Sequence, residues 1–329
     1  MENLIFSLNA TLPIFLLMLL GVFFRKIGWM EEGFASKLNT FVFRVALPVL
    51  VFEDLATVDF SQVWSPRFVG FCFLVTLFSI ALVSGLSLLF VDRSQRGEFI
   101  QASYRSSAAL LGIAFIENIY GNCGMAPLMI IGSVPLYNIF AVVLLSVFRP
   151  ADAGAVAEAG DAKTPKDQPS ARSLAKRTLR GIVTNPILIG IVLGLLWSAL
   201  RIPLKGIPLR MVSSLGAVAT PMGLMAMGAT FDLKKALASR KVSIVAALIK
   251  LVGLSGVFVP AAIALGFREQ ELVAILVMLG SATTVSSFVM ARNMGHEGTV
   301  SSSVVMLTTL LSAFTLTAWL WILRSGGWI

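Results

Sequence analysis

Charge is scarce in this sequence. Asp, Glu, Lys and Arg make up 13% of its 329 residues, about half the share found in a soluble domain. A soluble fold of this size has too little polar surface to cover an apolar content of 57%. Histidine occurs once, at His296, and no HExxH pattern is present. That removes the zinc-protease type of chemistry, and no evident nucleophile–base pair replaces it beyond a lone Ser/Lys dyad. The two cysteines, Cys72 and Cys123, fall in or beside apolar segments and give neither a metal-ligand cluster nor a disulfide framework. There is no Walker motif to hold ATP. The sequence therefore asks for no metal and no cofactor. No Lys or Arg precedes the first apolar run, MENLIFSLNATLPIFLLMLLG. A secretory signal needs a basic start, so this run reads as a retained span.

What is present is apolar length. Runs near 20 residues recur along the chain, and the mean hydropathy is +0.88. Each run is long enough to cross a bilayer. The pattern predicts an all-α membrane protein with ten spans, near residues 4–24, 38–58, 68–91, 103–120, 125–148, 181–200, 209–231, 243–266, 271–292 and 299–323. Span 4 is the weakest, because Arg105, Ser106, Ser107 and Glu117 interrupt it. The net charge of +9 follows the loops rather than a nucleic-acid face. Of 26 Lys and Arg, 17 fall in the loops after the odd-numbered spans. The positive-inside rule then puts those loops in the cytoplasm and both termini outside, in a cell (inner) membrane. Dropping span 4 would set basic loops on both sides, so ten spans fit better than nine.

Residues 150–175, PADAGAVAEAGDAKTPKDQPSARSLA, lack bulky apolar side chains and read as a flexible cytoplasmic linker. The linker, taken as 149–178, separates residues 1–148 from 179–329, two groups of five spans. A shift of 173 residues lays TLPIFLLMLLG on TNPILIGIVLG and PVLVFEDLATVD on PMGLMAMGATFD; a shift of 174 lays SAALLGIAFIENIYG on SATTVSSFVMARNMG. Three matches in order at nearly one offset indicate duplication. Five spans per copy force the second copy to enter from the opposite side. Such inverted repeats commonly hold a solute at the midplane, where two discontinuous helices meet.

Span 9 carries SATTVSSFVM, with Ser281, Thr283, Thr284, Ser286 and Ser287 inside an apolar run. Its repeat partner in span 4 begins YRSSAALLG, with Ser106, Ser107 and Gly112. Clustered hydroxyls weaken a helix by offering competing hydrogen bonds. They also satisfy backbone that leaves the helix at membrane depth. The expectation is that spans 4 and 9 are both broken and cross, two helix N-termini aiming at one anion. The bland alternative is that these hydroxyls merely allow close packing.

Six segments in order carry a resemblance. They are FVFRVALPVLVFEDLA (Phe41–Ala56), YRSSAALLGIAFIENIYG (Tyr104–Gly121), PLYNIFAVVLL (Pro135–Leu145), TNPILIGIVLGLLW (Thr184–Trp197), ATPMGLMAMGATFDL (Ala219–Leu233) and TTLLSAFTLTAWL (Thr308–Leu320). With these the chain resembles the auxin efflux carrier family of permeases over nearly its whole length apart from the linker. The resemblance implies a scaffold of helices 1, 2, 6 and 7 and a mobile core of helices 3, 4, 5, 8, 9 and 10. It implies that helices 4 and 9 cross at the core's centre, that the substrates are organic carboxylates, and that the core slides on the scaffold. The chain departs from the family at Ser107 and Ala114, where members commonly carry Asn and Pro. It departs again at Gly280 and Ser281, where Pro is common.

Each polar candidate has a plain alternative. Arg105 reads as a carboxylate partner or as a side chain snorkelling to the interface. Lys250, deep in span 8, needs a partner or a wet cavity. Glu117 reads as a cation or proton site, or as an interfacial carboxylate. Asn138 joins the substrate candidates through the resemblance, while Asn185 before Pro186 reads as a bond to freed backbone. Arg44 reads as snorkelling, Asp59 and Asp232 as solvated span ends, and Pro48 and Pro221 as kinks. The GxxxG at Gly190–Gly194 suits a homodimer contact or packing within the bundle. His296 reads as a surface loop residue. The leading function is a secondary carrier of a small organic anion in the lipid bilayer, with coupling to H+ or Na+ open. The alternative is a sodium-coupled organic anion symporter of bile-acid type.

Overall fold

The structure is a computed structural model that describes residues 16–57, 65–108, 125–149 and 184–329, with Pro13, Ile116, Ile119 and Tyr120. Among the described residues every regular element is helical. In chain order these are α1 (residues 16–26), α2 (Glu32–Ala56), α3 (Pro66–Phe90), α4 (Arg93–Tyr104), α5 (Ala126–Val147) and α6 (Pro186–Ala199). They continue with α7 (Gly206–Thr230), α8 (Arg240–Ala264), α9 (Glu269–Gly280), α10 (Ser286–Asn293) and α11 (Thr299–Ser325). By length and composition α2, α3, α5, α7, α8 and α11 can each cross a membrane. Gly112, Glu117, Cys123, Asp59 and the linker beyond Arg149 lie outside the described residues.

Helix starts follow local chemistry. Ser65 precedes Pro66, and its Oγ accepts the Phe68 N–H at 3.4 Å. Asn185 precedes Pro186, and its Oδ1 accepts the Ile187 N–H at 3.0 Å. A proline at the first helical position gives up an N–H that has no partner there anyway. Asn185 thus serves freed backbone, as its sequence suggests. Asp232 is an exposed span end, as its sequence suggests, and it also caps the short helix Leu233–Ala238 through the N–H groups of Lys234 and Lys235. Both expected kinks appear as irregular turns just ahead of the prolines. α2 runs through a π-helical turn at Val42–Ala46 before Pro48, and α7 loosens at Val218 before Pro221. In each case the ring leaves no room for the carbonyl one turn earlier.

Lipid and protein contacts divide the helices. α3 presents Phe73, Leu74, Phe78, Leu82 and Leu88 outward, as a lipid-facing helix must. α5 is 67% buried over its apolar window against 33% for α3, so α5 is the interior helix. α6 lies on α2 with no room for side chains between them. A Cβ on Gly190 would sit 2.5 Å from Pro48 O, and one on Gly194 2.9 Å from Phe52 O. The GxxxG therefore packs inside the bundle. Cys72 is a buried free thiol.

Three sequence expectations need correction. Span 4 begins at Arg93, ten residues before its expected start. Its first turns carry Arg93, Gln95, Arg96, Glu98 and Gln101, which a lipid-transfer scale rejects. Glu98 and Gln101 are buried in protein instead. Glu98 receives the N–H groups of Gly298 at 2.8 Å and Ser301 at 2.9 Å, capping α11. Gly298 enters that turn at φ +74°, which suits a residue without a Cβ. Span 2 likewise begins early, at Glu32, so Arg44 sits mid-helix with an exposed side chain. His296 is buried, its Nε2 paired with Leu145 O at 2.9 Å. The loop that carries it folds back against α4 and α5.

Candidate functional site

α4 stops at Tyr104, and Arg105 is extended at φ −69°, ψ 139°. α9 stops at Gly280, and Ser281 is extended at φ −75°, ψ 165°. The chain becomes helical again at Ser286. The two interruptions touch: the Ser107 N–H donates to Ala282 O at 2.9 Å. Both helices thus end inside the protein, where each leaves carbonyls without intrahelical partners.

Side chains take up those carbonyls. Thr283 Oγ1 donates to Ala102 O at 2.7 Å, serving the end of α4. Three donors serve the end of α9: Ser106 Oγ to Val277 O at 3.2 Å, Tyr137 Oη to Met278 O at 3.2 Å, and Lys250 Nζ to Leu279 O at 2.6 Å. Ser106 and Ser281 also pair through their hydroxyls at 2.5 Å, and the Thr283 N–H reaches Thr308 Oγ1 at 3.0 Å. Gln101 Nε2 donates to Ser287 O at 2.9 Å, tying α4 to α10. A hydroxyl cluster in an apolar run is thus needed simply to end two helices at this depth. Gly280 permits the approach to α8, since a Cβ there would lie 2.8 Å from Ser255 Oγ.

Arg105 stands where the interruptions meet and is buried, 3% exposed. It does not snorkel. Nη2 donates to Asn138 Oδ1 at 2.8 Å and Ser286 Oγ at 2.7 Å, and Nη1 lies 2.8 Å from Met290 Sδ. Nε has no partner. Among the described residues no carboxylate lies within ion-pair distance of Arg105 or Lys250; the pair found is Lys235–Glu297 at the surface.

A cavity of about 70 Å³ opens at Arg105. α2 lines it with Leu47, Leu50, Val51 and Asp54, and α6 and α7 add Ile187, Ala219 and Thr220. The opposite wall is Arg105, Ser106, Ser107 and Ala108, with Tyr137 and Asn138 from α5 and Thr284 to Ser286 at the start of α10. Of the residues singled out in the sequence, Arg105, Ser106, Ser107, Asn138, Thr284 and Ser286 therefore share one cavity. Ser281 and Thr283 stand behind it on structural bonds. Ser287 is fully buried outside the lining, and Lys250 is occupied with α9. Asp54 and Tyr137 were missed. An acidic residue inside the run Phe41–Ala56 was the available signal for Asp54, because ionisable groups within spans are costly and tend to be functional.

An all-helical membrane protein with a buried cation at the meeting of two interrupted helices has the anatomy of a solute carrier. The chain belongs to the auxin efflux carrier family: the family model described as "Membrane transport protein" matches residues 6–320. It is a membrane transporter rather than an enzyme. It is 28% identical to a "Putative malonate transporter" of Rhizobium meliloti (strain 1021), across 97% of this chain and 96% of that one. Its fold is similar to that of a sodium proton antiporter from Methanocaldococcus jannaschii, with a TM-score of 0.59 at 14% identity. That match covers 95% of this chain and 97% of the other.

Proposed function

We propose that this transporter is a secondary carrier of a small organic carboxylate, bound at Arg105 and moved by elevator-like alternating access. The observation that carries the reading is the guanidinium itself. It is buried, held in place by Asn138 and Ser286, has no carboxylate among the described residues at ion-pair distance, and belongs to a residue that lines a cavity. Leaving a buried cation without a counter-charge is costly, and a substrate carboxylate supplies one through a forked pair of hydrogen bonds. The start of α10, at Thr284–Ser286, adds N–H groups and partial positive charge on the same side. The relative described as a malonate transporter agrees with this substrate class.

The proposed architecture is ten helices in two inverted five-helix repeats, residues 1–148 and 179–329, with a cytoplasmic linker at 149–178 and both termini outside. In its favour, a shift of 174 residues lays Glu32–Ala56 on Gly206–Thr230 and Pro66–Phe90 on Arg240–Ala264, bound for bound. The cavity runs between α2, α6 and α7 on one wall and α4, α5 and α10 on the other, the scaffold and core that the family resemblance implies. A second cavity of about 210 Å³ lies further along α2, lined by Ser36, Asn39, Thr230 and Asn293 among others. Between the two, Val42, Gly223, Val285 and Val289 make an apolar layer. Two cavities along one scaffold–core boundary suit alternating access.

The test is uptake into proteoliposomes from a panel of labelled mono- and dicarboxylates that includes malonate. Saturable uptake of at least one carboxylate, reduced by Ser107→Leu and lost in Arg105→Met, is expected. Failure with every carboxylate, or undiminished uptake by both variants, rejects the assignment.

A further inference from the structure

We infer that Asp54 makes transport proton-coupled, accepting one H+ as the anion enters and releasing it on the other side. The inference rests on the substrate reading above. Asp54 and Arg105 line one cavity of about 70 Å³ from different elements. Asp54 belongs to α2, two residues before its end, and Arg105 to the interruption after α4. The two are not within 4 Å of each other, so no ion pair joins them across the gap.

The charge balance of the cavity follows. Empty, it holds the Arg105 cation and the Asp54 carboxyl group on separate elements, too far apart to pair. When an anion reaches Arg105, the site gains a negative charge beside Asp54. Two carboxylates sharing a poorly hydrated space cannot both stay ionised without large cost. A proton taken from the solvent at the cavity mouth onto an Asp54 oxygen restores the balance. It leaves when the anion leaves, and no bond is made or broken apart from that O–H.

The remaining titratable groups do not take over this task. Glu53, next in sequence, is outside the cavity lining and accepts a hydrogen bond from Ser213, although its charge still acts on Asp54. Tyr137 lines the cavity, but its hydroxyl is committed to Met278 O. α6 carries no titratable side chain, nor does the stretch Ala219–Thr230 of α7. The basic residue of the Gly206–Ala217 stretch, Arg210, is exposed.

The experiment uses wild-type proteoliposomes clamped at zero potential, labelled malonate outside, and a trapped pH dye. With one proton per anion, an inward gradient of one pH unit drives about tenfold accumulation, and malonate entry acidifies the lumen. Asp54→Asn is expected to bring the gradient-to-no-gradient ratio to about one and to abolish the acidification, while Glu53→Gln keeps both. Wild-type uptake that ignores the gradient and moves no protons overturns the inference while leaving the carboxylate carrier intact. A gradient response that persists in Asp54→Asn overturns the assignment to Asp54. Should Asp54→Asn fail to fold, Asp54→Glu serves: a retained but weakened proton signal supports the inference, and an unaltered one opposes it. No uptake of any carboxylate by the wild type is the separate failure of the substrate reading, and the inference falls with it.

Discussion

Arg105 and Lys250 are both buried cations that meet the interrupted helices, and among the described residues neither has a carboxylate at ion-pair distance. Their partners differ. Lys250 gives its ammonium to main-chain carbonyls at the end of α9, Leu279 O at 2.6 Å and Met278 O at 3.5 Å. There it meets the negative pole of a helix, where a cation is stabilised. Arg105 gives its guanidinium to side chains on α5 and α10, leaves a buried Nε without a partner, and lines a cavity. A point charge suffices to end a helix, whereas a planar fork suits a carboxylate. The contrast separates a cation that holds the fold from one that waits for a guest.

The largest effect that tests this contrast is on transport. Arg105→Met is expected to lower carboxylate uptake at least about a hundredfold, the equivalent of losing a charge-assisted pair worth about 3 kcal/mol. The protein should still be inserted and monodisperse. Arg105→Lys restores the charge without the fork and should recover only a small part of the loss. Equal activity of the Lys variant and the wild type would mean that charge alone is read.

Lys250→Met should do the opposite. Removing the ammonium leaves carbonyls at the end of α9 without a partner in a dry interior, a loss of about 2–3 kcal/mol in stability. Thermal unfolding of the purified protein in detergent should show a clear drop in Tm. Uptake per folded molecule should fall far less than in Arg105→Met. A variant with normal Tm and no transport would place Lys250 with Arg105 instead. Glu98→Gln belongs on the same structural side. One of its two acceptor oxygens is exchanged for an amide, and the α11 cap weakens by about 1–2 kcal/mol. Tm should fall with uptake little changed.

How much of this was legible depended on what each helix touches. Hydropathy reports transfer into lipid, so helices facing lipid, such as α3 and α8, were bounded within three residues. α4 faces protein, and its polar residues read as a loop. That error carried Arg105 from the middle of the protein to its edge. The break in span 9 was visible in the density of hydroxyls, and its cause is now specific, since Ser281 and Thr283 complete the bonds of helix ends. Asp54 was overlooked because it lies near the end of its run, where a carboxylate reads as interfacial. That Lys250 needs a partner was legible from its depth in span 8, but the partner's identity was not, because nothing in a sequence shows which carbonyls a lysine will meet. His296 looked like a loop residue for the same reason: its partner, Leu145 O, is 151 residues away.

The finest test asks whether Arg105 itself reads the anion or whether its holders do. Ser286 Oγ accepts from Arg105 Nη2 at 2.7 Å and lies 3.2 Å from Thr284 Oγ1. In Ser286→Ala the guanidinium keeps Asn138 Oδ1 at 2.8 Å, and cavity water replaces the lost hydroxyl. The cost is then about 0.5–1 kcal/mol, a two- to fivefold rise in KM with kcat nearly unchanged. The hydroxyl aims the fork, so its loss blurs binding rather than the conformational cycle. Titrating uptake rate against malonate concentration measures the split between KM and kcat. A loss as large as that of Arg105→Met would move substrate recognition from the guanidinium to the start of α10. The division between a holding cation and a receiving one would then have to be redrawn around a helix terminus.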